Sequence, residues 1–118
     1  MSHSFGAQTA DIIITRGDTP VIPVEVKDGS SASYDITGGT FVLTVDPSKT
    51  PADDSANVFS VAGVISDGPG GKVTFQPTAV QTDQPPGQYF YDIQMDLSGS
   101  IRTILKGQFI IEQDISKG

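Results

Sequence analysis

The sequence predicts an all-β protein, an antiparallel β-sandwich of about seven or eight strands. The chain is interrupted at short intervals by 13 glycines and 8 prolines. The runs between them are short and rich in Val, Ile, Thr, Tyr and Phe, which is typical of strands. Several runs alternate apolar and polar residues, as strands with one buried face do. The best helical candidate is TAVQTDQ (78–84), which predicts either one helical turn or a crossover loop.

The predicted strands follow one another with turns between them. They are DIIIT (11–15), VIPVEVK (21–27), TFVLTVD (40–46), NVFSVAGVIS (57–66), KVTFQP (72–77), QYFYDIQMDL (88–97), SIRTILK (100–106) and QFIIEQ (108–113). Pro23 predicts a sheet edge, because proline cannot donate a ladder hydrogen bond. The run 57–66 is apolar but does not show which alternate residues face inward. Gly63 within it indicates a bulge.

The last two runs share one parity, which predicts a single long strand across Gly107. Its inward face would carry Ile101, Thr103, Leu105, Phe109 and Ile111. The whole chain of 118 residues is expected to form one domain. We assign residues 1–10 to a polar N-terminal arm, 11–113 to the sandwich and 114–118 to a C-terminal tail.

Composition narrows the classes of partner. Seven basic and fourteen acidic residues give a net charge of −7, and an acidic domain repels a phosphate backbone. We therefore expect no nucleic-acid partner. No apolar run approaches the ~18 residues of a membrane span, and the N-terminus lacks the features of a signal peptide, so we expect no membrane partner. The absence of cysteine excludes disulfides and thiolate sites and suits a reducing compartment.

The polar residues do not assemble into an evident catalytic or metal site. His3 is the only histidine and lies in the predicted arm, where it cannot form a triad or a metal cluster. Arg16-Gly17-Asp18 matches a cell-adhesion signal, but Arg-Gly-Asp-Thr-Pro between apolar runs is also a good turn. The acidic loop 46–54 predicts a solvated hairpin loop or a weak cation site. We expect no enzyme, no metal and no cofactor.

The stretch PPGQYFYDI (85–93) predicts opposite directions for its aromatic residues. Tyr89 and Tyr91 share the face of Ile93, so Phe90 points the other way. An exposed Phe on a sheet face indicates an interface. Alternatively, Tyr34, Phe59 and Phe90 could form a sugar-stacking platform, although aromatics at alternating strand positions more often belong to the core.

Three motifs in order carry a resemblance to a known family. They are Asp35-Ile36-Thr37-Gly38 before an apolar strand, Pro86-Gly87-Gln88-Tyr89-Phe90-Tyr91-Asp92-Ile93, and Leu105-Lys106-Gly107-Gln108-Phe109. In this order, over residues 11 to 113, the chain resembles the N-terminal immunoglobulin-like domain of baseplate upper proteins of tailed phages. In that family the module heads a longer chain. This one stops at Gly118, so we expect a free-standing adaptor, a capsid decoration subunit or a small tail component.

The resemblance implies a non-enzymatic structural protein of a tailed-phage virion, assembled in the cytoplasm of the bacterial host. It would act through contacts with other virion proteins and with copies of itself, at the tail, the baseplate, a fibre attachment or the capsid surface. We expect these contacts at Ser4, Phe5, Phe90 and Ile115. Immunoglobulin-like domains also use a tyrosine soon after a turn to anchor a corner, so Gly87, Tyr89 and Tyr91 are predicted fold anchors. The alternative function is a carbohydrate-binding module that contacts glycans of the host surface.

Overall fold

Two β-sheets pack face to face and enclose one hydrophobic core. The structure, a computed structural model, describes residues 8–27, 32–47 and 58–113. Nine strands and one short helix occur in those ranges. They are β1 (Gln8–Thr9), β2 (Ile12–Thr15), β3 (Ile22–Glu25), β4 (Thr40–Asp46), β5 (Phe59–Ala62), β6 (Val64–Asp67), β7 (Lys72–Phe75), α1 (Ala79–Thr82), β8 (Gly87–Leu97) and β9 (Ser100–Glu112).

The strand order is that of an immunoglobulin-like sandwich. The larger sheet runs β1-β9-β8-β4-β5, with β2 also paired to β9, and the smaller sheet runs β3-β7-β6. In immunoglobulin nomenclature these are a G-F-C sheet with strands added at both edges and a B-E-D sheet. The predicted fold class is confirmed. β1 and β2 pair with β9 in parallel, while all other described pairs are antiparallel.

The core is filled by alternate residues of both sheets, as a period of two requires. Its largest fully buried side chains include Phe41, Phe75 and Phe109. Phe109 contacts Phe59 and Tyr91 edge-on, with ring centroids 5.8 and 6.2 Å apart. Edge-to-face pairs of this kind stabilise a core beyond the area they bury.

Gly63 is the point at which the chain changes sheets. β5 belongs to the larger sheet and β6 to the smaller one, which explains why the run 57–66 has no single phase. The Gly63 amide donates to the Phe41 carbonyl at 2.8 Å. A Cβ at Gly63 would lie 2.7 Å from Val73 Cγ2 and 2.8 Å from Phe75 Cε2. Only glycine therefore permits this close crossing.

β9 is the single long strand predicted across Gly107, but its inward face changes along its length. The pairing with β8 shifts register between Ile93 and Gln94, so that Ile104 is an extra residue. A bulge of this kind reverses which side chains face inward. Consequently Ile104 is buried and Ile101 is 65% exposed. The prediction that Ile101 faces the core was wrong, because parity was assumed to continue through the bulge.

The helical candidate at 78–84 forms one turn, α1. The Thr78 hydroxyl accepts from the Gln81 amide at 3.1 Å, and the Gln81 side chain accepts from the Thr78 amide at 2.9 Å. This reciprocal pair is a capping box. Gln81 also donates to the Ser60 carbonyl of β5 at 3.1 Å, so α1 covers part of that sheet edge. Pro23 lies on β3, an edge strand as predicted.

Candidate functional site

Tyr89 closes the corner between α1 and β8. Its hydroxyl donates to the Pro85 carbonyl at 2.7 Å, and its ring packs half-buried against the core. Gly87 begins β8 directly after the two prolines. A tyrosine near the start of this strand, bonded to backbone a few residues upstream, is the tyrosine corner of immunoglobulin-like domains.

Tyr91 fastens the N-terminal strands to the sheet. Its hydroxyl donates to the Ala10 carbonyl at 2.7 Å, and the Ala10 amide donates to the Lys106 carbonyl at 2.9 Å. Asp11 accepts from the Gln108 amide at 3.2 Å. Burial, and secondarily the nearby Asp11 carboxylate, raise the pKa of Tyr91 to about 12. Both tyrosines thus make structural hydrogen bonds rather than presenting their hydroxyls to a ligand.

The close approach of Ala10 to β9 requires a glycine at position 107. A Cβ on Gly107 would overlap the carbonyl oxygen of Ala10 and lie 2.8 Å from its carbonyl carbon. The segment that joins β1 to β2 alongside β9 can therefore approach β9 this closely only where β9 has no side chain. Gln8–Thr9, which the sequence assigns to the arm, already pair with Leu105 and Lys106.

Phe90 lies on the outer face of the larger sheet, which we define as the face turned away from the smaller sheet. It is half-buried, while its neighbour Tyr91 is in the core. Ile110 on β9 and Ile13 on β2 also face outward, because their neighbours Ile111 and Ile14 fill the core. We call Ile13, Phe90 and Ile110 the outer apolar patch.

The register brings these three residues together. Ile13 lies opposite Ile110, and Ile110 lies opposite Gln88, two positions before Phe90. Diagonal neighbours of that kind are ~7–8 Å apart, within reach of long side chains. Ile13 is 59% exposed.

Polar residues lie beside Phe90 on both neighbouring strands. Phe90 has Gln108 on one side and Asp46 on the other. The next row pairs Asp92 with Lys106, which places opposite charges across neighbouring strands. An apolar centre with a polar rim is the usual composition of a protein contact surface.

The Arg-Gly-Asp segment is a packed turn. The Asp18 amide donates to the Thr15 carbonyl at 3.1 Å, and the Asp18 carbonyl accepts from the Thr82 hydroxyl at 2.6 Å. Arg16 Nε donates to Asp83 Oδ1 at 2.8 Å. The turn interpretation is confirmed, because both the backbone and Arg16 are held against α1.

A pocket of about 540 Å³ opens beside this turn. It is lined by Ile13, Ile14 and Thr15 of β2, by residues 17–20, and by Glu112 at the end of β9. Its lining therefore combines the apolar residues Ile13 and Ile14 of β2 with the acidic residues Asp18 and Glu112. The outer apolar patch and the pocket share Ile13.

The aromatic platform considered from the sequence does not form. Phe59 is 8% exposed and belongs to the core, where it contacts Phe109. Tyr34 packs against the core from the side of the smaller sheet, where its amide donates to the Val26 carbonyl at 3.0 Å. Phe90 alone of the three lies on the outer face, so a sugar ring could not stack on all of them.

Several predicted positions lie outside the described residues. Ser4, Phe5 and Ile115 are among them, as are Asp53 and Asp54 of the acidic loop. Asp46, the first acid of that loop, ends β4 and is buried. Within the described ranges no three His, Asp or Glu side chains are grouped so that they could hold a metal ion. No helix in the same ranges is long and apolar enough to cross a membrane.

Ile13 and Ile110 were missed from the sequence. DIIIT contains three successive isoleucines, and a run of one residue type hides the alternation. The available signal was geometric, because three consecutive strand residues cannot all face the core. The middle isoleucine had to point outward.

The resemblance motif Asp35-Ile36-Thr37-Gly38 forms the turn that leads into β4. The Asp35 carboxylate accepts from the Thr37 hydroxyl at 2.6 Å and from the Thr37 amide at 3.0 Å. Both bonds lower the pKa of Asp35, and the bond from the Thr37 hydroxyl has the larger effect. Ile36 is fully buried. Asp35 and Thr37 therefore hold the turn, while Ile36 packs in the core.

No protein-family model matches the sequence, and no curated protein matches it either. Among solved structures, the chain is similar to the crystal structure of CopC from Methylosinus trichosporium OB3b. The TM-score is 0.44 at 15% sequence identity, and the match covers 96% of this chain and 91% of that one.

Proposed function

We propose that the protein is a non-enzymatic structural subunit of a tailed-phage virion, which acts as an adaptor through contacts with its neighbours. The observation that carries the proposal is the outer apolar patch. A single chain leaves Ile13 largely exposed and Phe90 and Ile110 half-exposed on one sheet face, beside polar residues. Such a surface suits burial against another protein.

The virion context is supported by the ordered sequence motifs. Their residues occupy positions that determine the fold: Asp35 holds a turn, Tyr89 closes a corner and Gly107 lets Ala10 approach β9 closely. Residues that hold a fold are those expected to recur within a domain family. The motifs therefore support membership of the same kind of domain, while the outer face would adapt each member to its neighbours.

The energy available from the patch is adequate for a contact centre. Full burial of one Ile or Phe side chain contributes about 1.5–3 kcal/mol, and Ile13 and Phe90 begin only partly buried. A stable interface buries about 800 Å² on each partner. The patch would supply its apolar centre, and the neighbouring Gln88 and Gln108 would supply the rim.

The groups most able to do chemistry have structural partners. Tyr91 donates to Ala10, Arg16 pairs with Asp83, and the Asp35 carboxylate accepts two bonds from Thr37. This supports a function in assembly over one in catalysis. Adaptor function would depend on which surfaces are buried and not on turnover.

The test combines location with assembly. Mass spectrometry and immunogold labelling of purified virions should find the protein in the particle, and Phe90→Asp should prevent its incorporation. Val80→Asp is the matched control, because Val80 is 82% exposed on α1 and is not one of the three patch residues. It should be incorporated normally, and thermal unfolding should show that both variants remain folded.

Two results would contradict the proposal. One is absence of the protein from virions together with a monomer at every concentration. The other is glycan-array binding that is lost in Phe90→Ala, which would favour the carbohydrate-binding alternative.

A further inference from the structure

The edges of the two sheets are protected to different degrees. In the part of the chain that the structure describes, β3 carries Pro23, β6 is interrupted by a bulge before Asp67, and β5 is covered where Gln81 donates to Ser60. These are common ways to prevent a sheet edge from pairing with another chain.

β2 has none of these protections. Its residues Ile12–Thr15 include no proline and no charge, and among the described strands it pairs with β9 alone, on one side. The 540 Å³ pocket lies along this strand. An unprotected apolar edge beside a preformed pocket has the geometry used in β-strand addition, where backbone bonds give affinity and a pocket gives specificity.

We propose that the free edge of β2 and its pocket accept residues 1–7 of a second copy of this chain. The inference rests on the proposed function, because it supplies the contact between copies that assembly requires. In this arrangement Phe5 of the arriving segment would pack on Ile13, and its backbone would add to the edge of β2.

Charge favours this occupant. The pocket lining includes Asp18 and Glu112, and the chain as a whole has a net charge of −7. Most acidic segments of another copy would therefore be repelled. Residues 1–7, MSHSFGA, contain no acid, one histidine and one phenylalanine.

The position of β1 favours donation to another copy over docking on its own domain. β1 runs parallel to β9 and starts with Gln8 opposite Leu105, near the middle of β9. The pocket lies at the end of β9, beside Glu112. Leu105 and Glu112 are about 23 Å apart along β9, at ~3.3 Å per residue. Gln8 itself therefore lies well away from the pocket of its own domain.

The resulting contact would be head-to-tail. One surface of the donor meets a different surface of the acceptor, so successive copies can form a ring or a row. Such an interface has a property that a symmetric one lacks. A copy that has lost only its donor and a copy that has lost only its acceptor can still form one contact with each other.

That property gives the test. Full-length Ile13→Asp should lose the acceptor and Phe5→Asp should lose the donor. Sedimentation velocity should find concentration-dependent oligomers for wild type and monomers for each variant alone. An equimolar mixture of the two should give a 1:1 dimer that does not grow. Val64→Asp, on the β6 edge and 67% exposed against 59% for Ile13, should assemble like wild type.

Folding of the variants is checked by thermal unfolding, and Glu112→Lys provides a second route. It leaves the strand intact and reverses one charge of the pocket lining, so it should weaken assembly several-fold. The inference is overturned if Ile13→Asp assembles like wild type, if the mixture stays monomeric, or if wild type is monomeric throughout. Virion incorporation is scored separately, so the protein could be a virion component while this particular contact is wrong.

Discussion

Replacing Gly107 with alanine should release the N-terminal strands from the sheet. The added Cβ would overlap the carbonyl oxygen of Ala10, which lies close to β9. The clash is with backbone, so it cannot be relieved by a side-chain rotation. The segment around Ala10 must therefore shift, and with it the acceptor of the Tyr91 hydroxyl.

The magnitude follows from the bonds that Ala10 makes. Two are at stake: the one from Tyr91 at 2.7 Å and the one to the Lys106 carbonyl at 2.9 Å. Each contributes about 1 kcal/mol, and a hydroxyl left buried without a partner costs about 1–3 kcal/mol. Tyr91 is only 4% exposed. We expect a loss of about 2–4 kcal/mol in the free energy of unfolding.

Urea unfolding measures this loss, with Gly38→Ala as the matched control. Gly38 has a φ of +84° and nothing within 4 Å of an added Cβ, so its substitution tests backbone conformation without a clash, at about 1–2 kcal/mol. A double-mutant cycle with Tyr91→Phe then tests the mechanism. If Gly107→Ala acts by displacing Ala10, Tyr91→Phe should cost little more in its presence. Equal costs for the two glycine variants, or full additivity with Tyr91→Phe, would refute this explanation.

Three further predictions concern the core, the corner and pH. Gly63→Ala should destabilise by about 1–3 kcal/mol in urea unfolding, because its Cβ would lie 2.7 Å from Val73 Cγ2 and overpacking has that cost; unchanged stability would mean that the sheets separate without strain. Tyr89→Phe removes the bond to Pro85 and should cost about 1 kcal/mol, measured as a fall in Tm of about 3–5 °C; no fall would show that the corner needs only the ring. Because the pKa of Tyr91 is raised to about 12 in the folded protein and is near 10 when unfolded, its contribution is complete below pH 10 and is lost as pH rises to 12. Unfolding free energies from pH 9 to 12 should show this decline in wild type and a shallower one in Tyr91→Phe; parallel curves would contradict it.

The sequence predicted the elements whose burial follows from local alternation. TFVLTVD and QYFYDIQMDL became β4 and β8. Ile93 and Tyr91, which were predicted to share one face, are both buried in the core. The outward direction of Phe90 followed from the same period of two. Pro23 identified an edge because a missing amide excludes a central position.

Pairing between distant segments could not be predicted in this way. The parallel contact of β2 with β9 joins residues nearly one hundred positions apart, and no local pattern encodes a parallel partner. The bulge at Ile104 similarly depends on how β9 fits β8. For the candidate site, this meant that Phe90 was found while Ile13 and Ile110 were not, because their proximity exists only after β2 has joined β9.

The domain boundary shows the same limit. Polarity alone placed residues 1–10 in an arm, yet Ala10 is bonded to both Tyr91 and Lys106. Removal of residues 1–7 is therefore expected to leave domain stability nearly unchanged. Removal of residues 1–10 would also delete the Tyr91 acceptor.

The parallel pairing of β2 with β9 has a mechanical consequence. Ile12–Thr15 lie in register with Phe109–Glu112 and point the same way. Tension applied to the chain before β2 and after β9 would slide these strands past each other along their length. The backbone hydrogen bonds between them would then bear the load together, whereas strands pulled apart from one end break theirs in turn. Forced unfolding is governed by the rate of rupture, so the domain should resist stretching between these two points more strongly than its equilibrium stability suggests.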